Sequence, residues 1–117
     1  MRINEVSYPD GTPIDGYGPG FFRIAGDVIQ GAVLVLPDRI APWGGYGDMD
    51  ALLAAALQID VLFVGTGADL APVPPAFRAA LEQAGPGVEN MNSPTACRTY
   101  NVLLSEGRRI GLALLPV

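Results

Sequence analysis

Residues 61–115 read VLFVGTGADLAPVPPAFRAALEQAGPGVENMNSPTACRTYNVLLSEGRRIGLALL, and this stretch decides the fold class. Val61–Val64 is a short apolar run closed by Gly65-Thr66-Gly67, the pattern of a buried strand. Pro75 suits the first turn of a helix, and Phe77, Ala80, Leu81 and Ala84 recur at the helical period before Gly85 stops it. Val88–Met91 is the next strand. Ser93-Pro94 reads as a cap followed by a first-turn proline, and Ala96, Tyr100, Leu103 and Leu104 share one face of the helix that ends at Gly107. Ile110–Leu115 is a last, strongly apolar strand. Strands and helices in alternation, with the strands apolar throughout, predict an α/β fold with a mostly parallel central sheet flanked by helices.

Working back toward the N-terminus, Asp48 is placed to cap a helix reaching about Gln58, with Leu52, Leu53, Ala56 and Leu57 on its inner face. Residues 39–47 form a loop around Trp43, Gly44, Gly45 and Tyr46. Ala32–Leu36 is a buried strand ended by Pro37-Asp38. Phe21–Ile24 and Val28–Gln30 flank Ala25-Gly26-Asp27 as an N-terminal β-hairpin. Residues 1–20, punctuated by glycine and proline, read as a loop-rich opening segment of one α/β domain spanning residues 1–117.

Composition narrows the function by exclusion. The chain has 117 residues, half of them hydrophobic, and a net charge of −5. That is ample material for one core, while an acidic chain with no basic run beyond Arg108-Arg109 argues against nucleic acid as a partner. There is no histidine, and all seven basic residues are arginine. A Ser-His or Cys-His nucleophile, an imidazole metal site, a Schiff-base lysine and a P-loop lysine are therefore not available. No catalytic constellation is recognisable, and no cofactor or metal is expected. The single cysteine, Cys97, excludes an intramolecular disulfide. No run of apolar residues is long enough for a transmembrane segment, and the N-terminus lacks the apolar core of a signal peptide, so the expected location is cytoplasmic.

Three segments can meet at the carboxyl ends of the strands, where open α/β sheets collect ligands: Pro37-Asp38, Gly65–Asp69 and Asn90–Thr95. Thr66, Asn92, Thr95 and Arg98 form the candidate site for a carboxylate or phosphate, with Arg98 as the charged fork and a helix N-terminus supplying N–H groups. The ordinary alternative is that Gly65-Thr66-Gly67 is a plain turn, that Ser93 caps its own helix and that Arg98 pairs with a carboxylate nearby. Cys97 lies where a helix dipole lowers a thiol pKa, but it shares a face with Tyr100 and Leu104 and reads as a buried, inert thiol. Trp43 and Tyr46 form the candidate interaction surface, against the alternative of aromatics folded back over the core.

Several stretches taken together resemble one known family: GYGPGFFRIAG, GAVLVLP, the Trp43 loop, FVGTG, and MNSPTACRTYNVLLSEGRRI. It is the family of small bacterial and archaeal α/β proteins that includes mitochondrial respiratory complex I assembly factor 3. The resemblance runs from about Ile14 to Val117. It implies a three-layer α/β protein with a mixed sheet, and with it an antiparallel final strand. It also implies a non-catalytic role in assembling the membrane NADH–ubiquinone oxidoreductase, alongside a partner assembly factor. The matching positions are Gly18, Gly20, Phe22, Trp43, Gly65, Thr66, Gly67, Ala96, Arg98, Tyr100 and Asn101. The absence of an import presequence fits a bacterial cytoplasmic protein, peripheral to the inner membrane through a partner.

Two functions follow as expectations. The first is a protein-interaction or assembly factor that docks a Gly- and aromatic-rich surface onto respiratory complex subunits or another assembly factor. The second is a small-molecule binding protein or modest enzyme with its site at the strand ends. A homo-oligomer burying its own apolar surface is a third arrangement.

Overall fold

A computed structural model describes residues 11–117. Its elements in chain order are β1 (Ile14–Gly18), β2 (Phe21–Ile24), β3 (Asp27–Gln30), β4 (Val33–Leu36), β5 (Arg39–Pro42), α1 (Asp50–Ala55), β6 (Val61–Thr66), α2 (Pro75–Ala84), β7 (Gly87–Met91), α3 (Ser93–Ser105) and β8 (Ile110–Leu115). The fold is α/β, with a mixed five-stranded sheet ordered β5-β4-β8-β6-β7 and a separate antiparallel sheet ordered β1-β2-β3.

The direction of the last strand differs from expectation. β8 runs parallel to β6, as β7 does, and antiparallel to β4. The reversed strand is thus β4, which folds back on β5 through the Pro37-Asp38 turn. α3 is the reason: a helix between β7 and β8 returns the chain to the same end of the sheet, so the strands it joins run parallel.

Apolar runs appear because the central strands are covered on both faces. Val33, Val35, Phe63, Leu112 and Leu114 point toward α3 and the three-stranded sheet, meeting Phe22, Ile24, Tyr100 and Leu104. The alternate residues Leu34, Leu36, Leu62, Val64 and Ala113 meet Leu52, Phe77 and Leu81 of α1 and α2. A strand of period two between two cores leaves no position for a polar side chain.

Four local readings are corrected. The segment 11–20 is not all loop, since Ile14–Gly18 pairs with β2; the earlier part of the opening segment lies outside the described residues. The expected loop over 39–47 begins with a strand, Arg39–Pro42, paired with β4. The hairpin turn has two residues rather than three, Ala25 (φ 54°) and Gly26 (φ 83°), and Asp27 is already paired with Ile24. Two consecutive left-handed residues make a type I′ turn, whose twist matches that of the strands.

The fourth concerns α1. It starts after Met49 with no side-chain cap, because the Asp48 carboxylate accepts from the Gly44 N–H at 2.9 Å instead. It has six residues and continues as a 3-10 turn over Ala56–Gln58. The buried face keeps the helical spacing, Leu52, Ala55, Ala56 and Ile59. Leu52, Ala55 and Ala56 are buried, whereas Leu53 and Leu57 are 43% and 83% exposed rather than core residues.

Candidate functional site

The start of α3 rests on the carboxyl ends of β6 and β8, and one serine ties the three together. Asn92, not Ser93, is the cap: its Oδ1 accepts from the Thr95 N–H at 2.8 Å. Ser93 lies one residue inside and is fully buried. Its Oγ donates to the Leu115 carbonyl at 2.6 Å and accepts from the Gly67 N–H at 2.9 Å, while its own N–H reaches the Gly67 carbonyl at 2.8 Å. Gly65 is required beneath it. A Cβ there would stand 2.9 Å from Ser93 Cα and 2.6 Å from a Leu114 methyl. Gly67, at φ 100°, then turns the chain away from the strand end.

Thr66 is occupied by its own loop. Its hydroxyl lies 2.7 Å from the Asp69 carbonyl and 3.2 Å from that of Met91, and its oxygen accepts from the Ala71 N–H at 3.0 Å. Arg98 donates to Thr95 Oγ1 at 3.2 Å and lies on the exposed side of α3. Asn92, Thr95 and Arg98 therefore form one set of contacts and Thr66 another; the structure does not bring the four together. The donors of the α3 N-terminus are also committed. The Ser93 N–H goes to Gly67, that of Thr95 to the Asn92 side chain, and that of Ala96 to the Asn92 carbonyl, while Pro94 has none. From Ser93 to Ala96 that end offers an anion no unpaired N–H.

The arginine that organises the strand ends is Arg78, which the sequence reading missed. Nη1 donates to the Val88 carbonyl and Nη2 to Asn90 Oδ1 at 2.9 Å, and Asn90 Nδ2 donates to the Ala71 carbonyl at 2.8 Å. Glu82, one turn along α2, lies 3.6 Å from the guanidinium. The available signal was Arg78 beside the buried Phe77 with a carboxylate at i+4.

Of the two readings of Trp43, the structure has the aromatic folded back over the core and not the exposed anchor. It is 5% exposed and its indole N–H donates to the Asp48 carbonyl at 3.0 Å. Tyr46 and Phe77 meet it at centroid distances of 5.4 and 6.1 Å, and each other at 5.0 Å. Aromatic edges and faces attract when packed this way, so the glycine-rich loop folds inward around its rings. Tyr46 remains partly exposed, and burial raises its hydroxyl pKa. Cys97 is 4% exposed, and burial pushes its thiol up to about 12 against the opposing pull of Arg98. Such a thiol is a packed core group rather than a nucleophile. Among the described residues no three His, Cys, Asp or Glu side chains cluster as metal ligands.

Two neighbours on α3 hold the three-stranded sheet. The Asn101 amide donates to the Ile14 carbonyl and accepts from its N–H, both at 2.8 Å, and Tyr100 donates to the Thr12 carbonyl at 3.0 Å. On its outer side α3 borders a shallow apolar groove of about 290 Å³, lined by Arg98, Thr99, Val102 and Leu103. Among the described residues no helix is long and apolar enough to cross a membrane.

Residues 14–115 match the family described as protein of unknown function DUF498/DUF598. The chain belongs to this family. It is 50% identical over its full length to an uncharacterized protein of Rhodobacter capsulatus, covering 94% of that protein. It is 32% identical to NADH dehydrogenase [ubiquinone] 1 alpha subcomplex assembly factor 3 of mouse, with 99% of this chain and 66% of that protein aligned. The zebrafish factor of the same name is 35% identical, with 99% and 71% aligned. The chain thus spans about two thirds of the length of these assembly factors. Among solved structures it is similar to one described as an outer membrane protein from Bartonella henselae (TM-score 0.83, 33% identity, 93% of this chain and 98% of that one). A Bordetella pertussis protein described as a Mth938-like domain is similar at TM-score 0.77 and 27% identity, over 99% of this chain and 92% of that one. This DUF498/DUF598 member therefore has a Mth938-like fold. The positions it shares with the family resemblance have structural work in this chain: Gly65 and Gly67 admit α3, Tyr100 and Asn101 hold β1, and Phe22 fills the core between sheets.

Proposed function

We propose that this protein is a non-catalytic interaction factor that assists assembly of the membrane NADH dehydrogenase. The observation that carries the proposal is the alignment of 99% of the chain with assembly factor 3 of mouse and zebrafish. The geometry agrees with a role exercised through surface rather than through a reactive centre. Thr66, Asn92 and Ser93 spend their polar atoms on the fold, and Cys97 and Tyr100 are buried with raised pKa values. Exposed apolar side chains at Val28, Leu57, Leu70 and Val102 supply contact area for subunits or a second assembly factor, together with the partly exposed Tyr46. Trp43 contributes from inside by holding the Tyr46 loop in shape.

The test is the amount of assembled NADH dehydrogenase in membranes of a strain lacking the protein, read on native gels by in-gel NADH oxidation. Less complete enzyme, with subcomplexes in its place, is the expected result. A normal amount of complete enzyme overturns the proposal.

A further inference from the structure

Among the described residues the two sheets have four edge strands, and three carry a local device against further pairing. At β5 the turn geometry aims the backbone groups of Ile40 and Pro42 outward, and Pro42 has no N–H to offer. β7 lies under α2, with Arg78 donating to its Val88 carbonyl. β1 has an irregularity between Ile14 and Gly16, and the Asn101 amide takes both backbone groups of Ile14. These are the devices by which proteins stop edges from recruiting strands.

β3, although only four residues long and headed by Asp27, has none of these three. Its residues Asp27–Gln30 pair with β2 alone among the described residues, and they contain no proline, lysine or arginine and no register shift. The phase of the ladder follows from the two-residue turn. Ile24 and Asp27 close it as a hydrogen-bonded pair, so Phe22–Ile29 is hydrogen-bonded too, while Arg23–Val28 and Phe21–Gln30 are not. The Gly31 N–H donating to the Gly20 carbonyl at 2.9 Å confirms that phase. The N–H and C=O of Val28 and Gln30 therefore point away from the sheet. Both residues are exposed, Val28 at 52%.

We infer that β3 is a docking edge that accepts an extended segment of a partner protein as a fourth strand. The inference deepens the assembly reading by naming the surface, and as an account of a partner it rests on that reading. Four outward backbone groups supply the pairing, and alternate side chains set the selectivity. Val28 and Ile29, on opposite faces, favour aliphatic neighbours. Asp15 and Asp27 are both exposed at the turn end, where the Asp15 carboxylate accepts from the Gly26 N–H at 3.3 Å. A basic residue of the incoming segment fits there. Arg23 projects from the face opposite Asp27 and leaves that end acidic. A second copy of the chain is the poorer occupant. Its own edge, Asp27–Gln30, carries no basic residue to set against this acidic end.

Three measurements decide the matter. Hydrogen exchange on the purified protein reads the edge directly: amides of Val28 and Gln30 exchange fast and those of Asp27 and Ile29 slowly, whereas protection of Val28 and Gln30 overturns the inference. A photo-crosslinking residue at Val28, introduced in the native host, is expected to capture one partner protein through a short segment of its sequence. Gln30→Pro removes an outward N–H while sparing the β2 ladder, and should lower that yield about tenfold, whereas Gln30→Ala, which keeps the N–H, should not. No adduct, an adduct to a second copy, or an adduct to residues 1–10 of the same chain overturns the inference. In a deletion strain, restoration of NADH dehydrogenase by wild type and equally by a folded Gln30→Pro variant removes the edge and keeps the assembly role. An unaffected deletion strain removes the assembly role, and the crosslink alone then decides the edge.

Discussion

Ser93 shows how a small polar residue can be more deeply structural than its neighbours. It is fully buried, and its hydroxyl joins the loop after β6 to the end of β8. Removing the oxygen takes their partner from the buried Gly67 N–H and from the Leu115 carbonyl. Ser93→Ala should therefore cost about 1–3 kcal/mol, read as a lower urea midpoint with an unchanged m-value. Asn92, half-exposed, has a replaceable role by comparison. In sequence the two are adjacent members of a capping pattern, and the residue with the larger role was read as the cap. The distinction turns on one residue of helix phase, and local propensity does not resolve helix ends that finely.

At the scale of elements, α3 is the hub. It crosses between the parallel strands β7 and β8, and one of its faces carries the second sheet. The connection to β1 runs through Asn101, whose amide copies the hydrogen bonding of a peptide unit toward Ile14. Asn101→Ala should loosen β1 without melting the five-stranded sheet. The expected outcome is loss of about 1–3 kcal/mol, with faster amide exchange confined to β1 and β2; uniform acceleration across the central strands would refute this. Periodicity identified α2 and α3, β6, β7 and β8 with nearly correct ends, because each is long or flanked by glycine and proline. It missed β1 and β5. Both are edge strands with half their residues in solvent, so they carry little of the apolar signal by which strands are recognised. It also put Leu53 and Leu57 inside, one residue around from the buried face of Leu52, Ala55, Ala56 and Ile59.

Across the whole molecule, two titratable groups sit in the same core. Cys97 is pushed up to about 12 and Tyr100 is raised further, in both cases by burial first. A group whose folded pKa lies above its unfolded value holds its proton more tightly when folded. Its contribution is complete below the unfolded pKa and is lost as pH rises through the folded one. Stability should thus be level up to about pH 9 and decline through the alkaline range, measured as the urea midpoint against pH. Cys97→Ala should remove the first part of the decline, and a flat profile to pH 12 would contradict the burial of both groups.

The sequence by itself determined the α/β class, the order of most elements and the chemistry that is out of reach. Hydrophobic period and turn residues are local signals, and the lack of histidine and lysine is a matter of composition. Tertiary structure alone decided which strand is reversed, that Trp43 faces inward, that Arg78 rather than Arg98 holds the strand ends, and that Thr66 and Arg98 stay apart. Each of these depends on which distant backbone group a side chain finds when two layers close on the sheet. Partners far apart in the chain, such as Asn101 and Ile14 or Ser93 and Leu115, leave no trace in local spacing.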